Sequence, residues 1–481
     1  MNSEPKVGPE LVIGLVTPIG TSTSALATNL CARLSEYDYR TLVIRLTDHL
    51  PDPPEPGTFE TEDQRVRRLI AAGNAFCREH ADQPAGPAHD QARDPAAAMA
   101  RLAVREIVRR RVAERRLLGD TDPVRTGSSL QRTAYVIHSL KRPAEVALLR
   151  EVYGDAFVLL GSQATPAQRL SNLENRPLSQ SDPAKRSELA RELMLLDADE
   201  GDKLGQQVND TYPLADFFLS DTDTKRLVDL LFGRPIAPTI DEFAMYVARA
   251  SRARSLAASR KVGAAIVVGD AVVATGYNDA PWGETPDVQQ GIDTSELLKR
   301  GNVEDTLARL RDAKLLADAV TPQEALAKAL AALKGGKQLS VIEYQRVVHA
   351  EAKAIDDATV RGVSPTGGTL FVTTFPCHLC FKHALSVRLE AVVYIEPYAK
   401  SRAEIMYPDG GASRLRPYSG VAPGRYMRIF DDRPAFEAEP SGKFVETPPH
   451  VVQPLVGGVV DDEERFVKER LALSELKEEY R

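Results

Sequence analysis

At 481 residues the chain is longer than a single hydrophobic core usually organises, so two or three domains are expected. A hydrophobic fraction of 43% with 27% charged residues matches soluble globular proteins and excludes wholesale disorder. The formal net charge of -7 excludes a general nucleic-acid binder, which needs a basic surface to neutralise phosphates, but leaves room for a local basic groove.

The first apolar run, Leu11 to Val16, is strand-sized, and no basic segment leads into a longer apolar one. Neither a secretion signal nor a membrane span is expected, and the location reads as cytoplasmic. That run suits a buried parallel strand. It is followed by a Gly/Ser/Thr-rich turn, a helix from about Ala25 to Leu34 and a second strand from Thr41 to Leu46, which together make a βαβ unit. Residues 51–56 and 83–95, rich in Pro and Asp, read as surface loops around a helix near 62–80. The next helix, near 96–118, carries seven arginines and reads as a solvated face. Strands at Ala134 to His138 and Ala156 to Gly161 flank a helix starting at Pro143. After a charged helical region at 165–200, the run Ala215 to Leu219 suits an edge strand, and Arg234 to Pro238 reads as a linker.

Beyond the linker come a helix from Ile240 to Ser255 and strands Gly263 to Val268 and Ala271 to Gly276, joined by the hairpin signal Gly269-Asp270. Residues 284–348 are polar, helix-rich and free of His and Cys, and they read as an insertion. An α-β-α-β run follows: a helix from His349, a strand from Thr369, a helix from Cys377 and a strand from Ala391 to Glu396. The expected domains are thus 1–235, 236–430 with the insertion, and a C-terminal extension over 431–481 rich in Pro, Gly and acidic residues.

Four cysteines occur, at 31, 77, 377 and 380. The Cys-x-x-Cys pair points to metal or redox chemistry in a reducing compartment, whereas Cys31 and Cys77 read as small core residues. His349-Ala-Glu351 lies 28 residues before Cys377, and Pro376-Cys377-His-Leu-Cys380 directly follows an apolar strand. Three N/S ligands suit one tetrahedral zinc per chain with an open fourth position, which marks a catalytic rather than a structural site. Both ligand groups fall at first helical turns, whose dipole favours thiolate over thiol. Glu351, two residues from His349, is placed to take a proton from an attacking water and pass it to a ring nitrogen and then to leaving ammonia. His378 inside the pair reads as an exposed helix residue, because a fourth protein ligand would close the site.

His-x-Glu followed by Pro-Cys-x-x-Cys is the signature of zinc nucleobase deaminases, and the second half resembles the cytidine and deoxycytidylate deaminase superfamily. Arg260 to Val267 and Gly276-Tyr-Asn-Asp-Ala-Pro281 resemble that family's first hairpin and substrate loop. The resemblance implies that Asn278 hydrogen-bonds sugar or base, that Arg260 and Lys261 contact phosphate, and that Ala350 lines the substrate. It also implies an α/β/α sandwich with a mixed sheet. Tyr394 to Ser401 and Tyr418 to Tyr426 are similar to a two-domain bacterial branch of deoxycytidine triphosphate or deoxycytidylate deaminases associated with anti-phage defence.

In that branch the N-terminal half is a degenerate P-loop nucleotide-kinase-like domain, a parallel sheet with flanking helices. Gly20-Thr21-Ser22-Thr23-Ser24 stands in the phosphate-loop context, but Thr23 replaces the lysine and His138 replaces an acidic strand-end residue. Helix termini still bind phosphate without the lysine, yet phosphoryl transfer needs it, so nucleotide sensing or a structural role is expected and kinase turnover is not. The implied substrate is a free deoxycytidine nucleotide, and the implied assembly is a homo-oligomer away from membranes. The controlling partner is left open between a regulatory nucleotide, an RNA and a protein inhibitor. Two alternatives stand beside this reading: a deaminase of RNA or single-stranded DNA, disfavoured by the acidic chain, and a non-catalytic nucleotide-sensing zinc protein, disfavoured by Glu351.

Overall fold

A computed structural model of the chain describes residues 8–50, 59–80, 94–120, 128–219, 224–258, 260–316, 321–333, 339, 346–397, 401–409, 411–431, 440–442 and 462–477. The loop expected at 51–56, all of the loop expected at 83–95 except Asp94 and Pro95, and most of the stretch past 431 lie outside the described residues. Two compact units emerge: residues 1–243 with 394–401 and 415–481, and residues 244–393 with 402–414.

In the first unit, β1 (Leu11–Val16), β2 (Arg40–Arg45), β3 (Thr133–His138), β4 (Phe157–Ser162) and β5 (Phe217–Leu219) run parallel in the order β5-β4-β1-β3-β2. Every residue of β1, β3 and β4 is buried, which is why these strands read as unbroken apolar runs rather than as alternating ones. The connecting helices are α1 (Thr23–Ser35), α2 (Glu62–Glu79), α3 (Ala98–Leu117), α4 (Pro143–Tyr153), α5 (Pro166–Glu174), α6 (Pro183–Ala198) and α7 (Thr224–Leu231).

Two expectations are corrected here. The run at 215–219 is not an edge: Gly420–Val421, pairing antiparallel as Gly420↔Phe218 and Val421↔Phe217, covers its outer side and makes the sheet mixed rather than wholly parallel. A bare edge carrying Phe217 and Phe218 would be a pairing hazard, and the added strand removes it. The arginine-rich helix is not simply a solvated face either, because Arg101 and Arg111 of α3 are fully buried. Arg111 donates to Glu10 at 2.7 Å and to Glu469 at 2.9 Å. Glu469 lies on the C-terminal helix Asp462–Ser474, which packs on α3 and α4. A buried guanidinium is tolerable only when carboxylates pair it, so this helix is tied to the core of the first unit.

Along the chain after the linker, α8 (Ile240–Arg252) leads into β6 (Gly263–Val268) and β7 (Ala271–Tyr277). The insertion holds α9 (Thr294–Asp312) and α10 (Pro322–Leu333). Then come α11 (Ala350–Val360), β8 (Thr369–Thr374), α12 (His378–Ser386) and β9 (Ala391–Glu396), and with β10 (Leu415–Pro417) the sheet order is β10-β9-β8-β6-β7. Strand β6 pairs antiparallel with both β7 and β8.

Two glycines set the layers. A Cβ on Gly263 would lie 1.9 Å from the Ala248 carbonyl oxygen of α8, and one on Gly276 would lie 2.0 Å from the Ala350 carbonyl oxygen of α11. Gly276 is the cross-strand partner of Ala264, the neighbour of Gly263, so the two glycines face opposite sides of the sheet. Each lets one helix lie directly on the strands, giving the helix-sheet-helix layering. Among the described residues no helix is long and apolar enough to cross a membrane.

Candidate metal and catalytic site

The helices α11 and α12 point their N-termini at one spot. His349 and Cys377 are the residues immediately before them, both with extended backbone, φ/ψ of -70/151° and -70/162°. The chain therefore turns into each helix at a ligand rather than carrying the ligand along a helix face. Cys377 Sγ accepts the Cys380 backbone N–H at 3.4 Å, so the Cys-x-x-Cys spacing doubles as a helix cap.

His349 Nδ1 stands 3.4 Å from Cys377 Sγ and 3.3 Å from Cys380 Sγ, and the three donor atoms lie within 4.8 Å of one another. Zinc bonds of about 2.0–2.1 Å to nitrogen and 2.3 Å to sulfur, set at tetrahedral angles, place N and S about 3.5 Å apart. The donors are thus already at the spacing a zinc ion requires, and this His/Cys/Cys group can hold one. His378 is half-buried rather than exposed and stays outside the donor group.

The electrostatics fit a dication. The hydrogen bond from Cys380 and the adjacent His349 pull the Cys377 thiol down to about 4, while that same hydrogen bond and burial push Cys380 well above the ordinary thiol value. Both sulfurs sit at the N-terminus of α12, which favours the thiolate form that a metal ion would require. Hydrogen bonding to Cys377 raises His349. Glu351, 3% exposed in the first turn of α11, is raised chiefly by burial. A carboxyl held this way beside the donor group is suited to accepting and returning a proton.

The remaining residues singled out from sequence fall around this centre in different roles. Ala350, fully buried, is the point where α11 rests on Gly276. Asn278 is buried, and its side chain braces the segment before β6. Its Oδ1 accepts from Val262 N at 2.6 Å and Ser255 Oγ at 3.0 Å, and its Nδ2 donates to the Arg260 carbonyl at 2.7 Å. One N–H of the carboxamide is left over from these three bonds. Lys261 is exposed and Arg260 half-buried on the segment that Asn278 holds.

Sequence reasoning did not single out two further features. Asp279 and Val348 form an isolated antiparallel bridge, with N···O distances of 3.2 and 2.9 Å, which clamps the loop after Asn278 to the residue before His349. Arg254 and Lys353 both lie over the Tyr277 ring, at 4.5 and 3.9 Å from its centroid, adding two cations beside Asn278.

In the first unit, the Gly20–Ser24 turn binds its own chain. Gly20 has φ +88°, with Arg169 against it, and Asn172 Nδ2 donates to its carbonyl at 2.9 Å. Thr21 Oγ1 accepts the Ala164 N–H at 3.4 Å, and Thr23 Oγ1 shares a 2.8 Å hydrogen bond with Thr17. Ser22 precedes α1 without capping it through its side chain, and Ser24 lies in the first turn of that helix. The Asp197 carboxylate accepts the Ile19 N–H at 2.7 Å and is itself held by Lys141 at 2.6 Å. Cys77 is buried as expected, and Cys31 is only half-buried at the edge of the core.

Residues 238–396 match the family model of the cytidine and deoxycytidylate deaminase zinc-binding region. A deoxycytidylate deaminase from Enterobacteria phage T4 is 27% identical over 166 residues, 34% of this chain and 80% of the phage protein. Among solved structures, the dCMP deaminase of cyanophage S-TIM5 aligns in its apo form at 18% identity and TM-score 0.24, covering 38% of this chain and all of that one. Its complex with dCMP and dUMP aligns at 20% identity and TM-score 0.25, with 38% and 99% coverage.

Proposed function

We propose that this zinc-dependent cytosine nucleotide deaminase acts on free deoxycytidine nucleotides, dCTP or dCMP, and releases ammonia to leave dUTP or dUMP. The observation that carries the reading is the buried Glu351, two residues from His349, beside a His349, Cys377 and Cys380 donor group of zinc dimensions. Bound zinc supplies a Lewis acid that makes water nucleophilic near neutral pH. Glu351 takes the proton from the attacking water and delivers it to the ring nitrogen beside C4. It then carries the second proton to the departing amine, so that a C–O bond replaces the C–N bond and ammonia leaves. Arg254, Lys353, Arg260 and Lys261 supply positive charge on the Tyr277 and Asn278 side, in keeping with a phosphorylated substrate.

The first unit serves as a degenerate nucleotide-kinase-like regulatory domain, which suits an enzyme that depletes dCTP in defence against phage without draining the host pool. Its five parallel strands and the lysine-less turn bound by Asp197 support binding or assembly over phosphoryl transfer. The homo-oligomer reading draws on the insertion and its approach. There Trp282 is fully exposed and Val288, Ile292 and Leu297 are more than half exposed, apolar side chains that a second copy would cover.

The test is chromatography of products after incubation with dCTP, dCMP, CTP, deoxycytidine and a cytosine-containing oligonucleotide. Conversion of a deoxycytidine nucleotide, and its loss in Glu351→Gln by at least about 10²-fold with zinc content retained, is the expected result. No turnover of any free nucleotide overturns the reading.

A further inference from the structure

The first unit holds a cavity of about 490 Å³ at the carboxyl ends of β2 and β3, which shares only Ser24 with the Gly20–Ser24 turn. Ser24 and Thr28 of α1 form one wall, Arg110 of α3 another, and Val43, Arg45 and His138 belong to the strands. In open parallel sheets, ligands occupy the crevice outside the strand carboxyl ends, and drug- and cofactor-sized sites span roughly 300–1,000 Å³.

His138 leaves a hydrogen-bonding need unmet in this wall. It ends β3, is only 7% exposed, and its Nε2 is buried with no hydrogen-bond partner among the described residues. Buried polar side chains are nearly always paired, so an orphaned one in a cavity wall calls for a partner that enters the cavity. Burial holds this imidazole below the ordinary histidine value, so it meets that partner uncharged.

We propose that this cavity binds a nucleotide, with Arg45 and Arg110 on the phosphate and His138 on the sugar or base. Arg110 is pre-set for the task, because its Nη1 is anchored on the Val43 carbonyl at 2.9 Å. The charges facing the cavity are these two guanidiniums against the single carboxylate of Asp48. His49, also on the rim, is held low by burial and lies 3.6 Å from Glu106. The balance favours an anion. An inorganic anion would leave the apolar wall of Ala27 and Val43 in water, whereas a nucleoside phosphate covers both kinds of surface. The turn itself is a poorer receptor, since Asp197 already holds the Ile19 N–H and Asn172 the Gly20 carbonyl.

This extends the proposed regulatory reading of the first unit and rests on it for purpose, but binding is read without any deaminase assay, so either can fail alone. The experiment is hydrogen exchange and titration calorimetry on the zinc-loaded full chain with dCTP, dTTP, dATP, dGTP and inorganic phosphate. At least one nucleotide is expected to slow exchange across residues 24–31 and 43–49 of the wild-type protein, a signal separate from residues 349–380. Arg110→Ala is expected to weaken that binding by about tenfold or more, the loss of a charge-assisted contact, and His138→Ala to weaken it as well. Protection confined to 349–380, or equal protection by inorganic phosphate, overturns the proposal. So does unchanged affinity in both variants with an unaltered melting temperature.

Discussion

Replacing Gly276 with alanine tests how the fold holds the site. The new Cβ would stand 2.0 Å from the Ala350 carbonyl oxygen and 2.5 Å from the Ala354 backbone nitrogen, both on α11. Both contacts are backbone, so no side chain can swing away. To restore even a 3.0 Å separation, the helix must retreat by about 1 Å from β7. Overpacking of this kind costs about 1–3 kcal/mol. The helix that moves has His349 immediately before it and Glu351 in its first turn, while Cys377 and Cys380 belong to α12. A shift of about 1 Å between catalytic groups is worth about 10²-fold in rate.

Gly276→Ala is therefore expected to lose most of its turnover number and to bind zinc more weakly, measured by steady-state kinetics on the best nucleotide and by metal analysis. Gly301→Ala is the control, because Gly301 sits inside α9 with nothing within 4 Å of its Cβ position. There alanine is expected to stabilise by about 0.4–1 kcal/mol with activity intact. Wild-type kinetics and zinc content in Gly276→Ala would refute the claim that this glycine sets the distance between the two halves of the site.

Arg111→Met removes the closer of the two cations shared by the buried Glu10 and Glu469 and leaves them only Arg465, at 3.7 and 3.6 Å, so it is expected to lower the urea midpoint of the first unit by less than the about 3–5 kcal/mol of a fully broken buried pair; an unchanged midpoint contradicts the pairing. His80 and His138 both have folded pKa values lowered by burial, so the unfolded chain takes up protons that the folded one refuses. The contribution to stability is thus complete above the unfolded histidine value of about 6.5 and declines as pH falls through it. Thermal unfolding between pH 8 and 5 is expected to show that decline, and His80→Gln with His138→Gln is expected to flatten it. Chelation is expected to abolish turnover and to open Cys377 and Cys380 to alkylating reagents that zinc holds off, with both effects reversed by added zinc. Identical labelling of the two cysteines with and without chelator would contradict their role as ligands.

The candidate site was legible along the chain because it depends on local spacing. His349, Glu351, Cys377 and Cys380 fall where two helices begin, and a helix start after a strand is written in the apolar periodicity on either side. The buried parallel strands were equally readable, since helices on both faces demand continuous apolar runs such as Leu11–Val16. Asn278 was legible only as a candidate. Its bonds to Val262, Ser255 and Arg260 depend on how the hairpin folds back on the chain before it.

What the amino-acid order determined by itself is therefore the elements and the candidate donor residues at their starts, each marked by neighbours within a few positions. Only the tertiary structure decided the rest, because it rests on partners far apart in sequence. Arg111 is a solvated-looking arginine until Glu469, 358 positions away, arrives beside it. The strand at Phe217–Leu219 is an edge until Gly420–Val421 covers it. His138 is an odd strand-end residue until the packing of α1, β2 and α3 leaves its ring nitrogen unpaired in the wall of a cavity. Desolvation acts on whatever the fold brings together, and no local pattern carries that information.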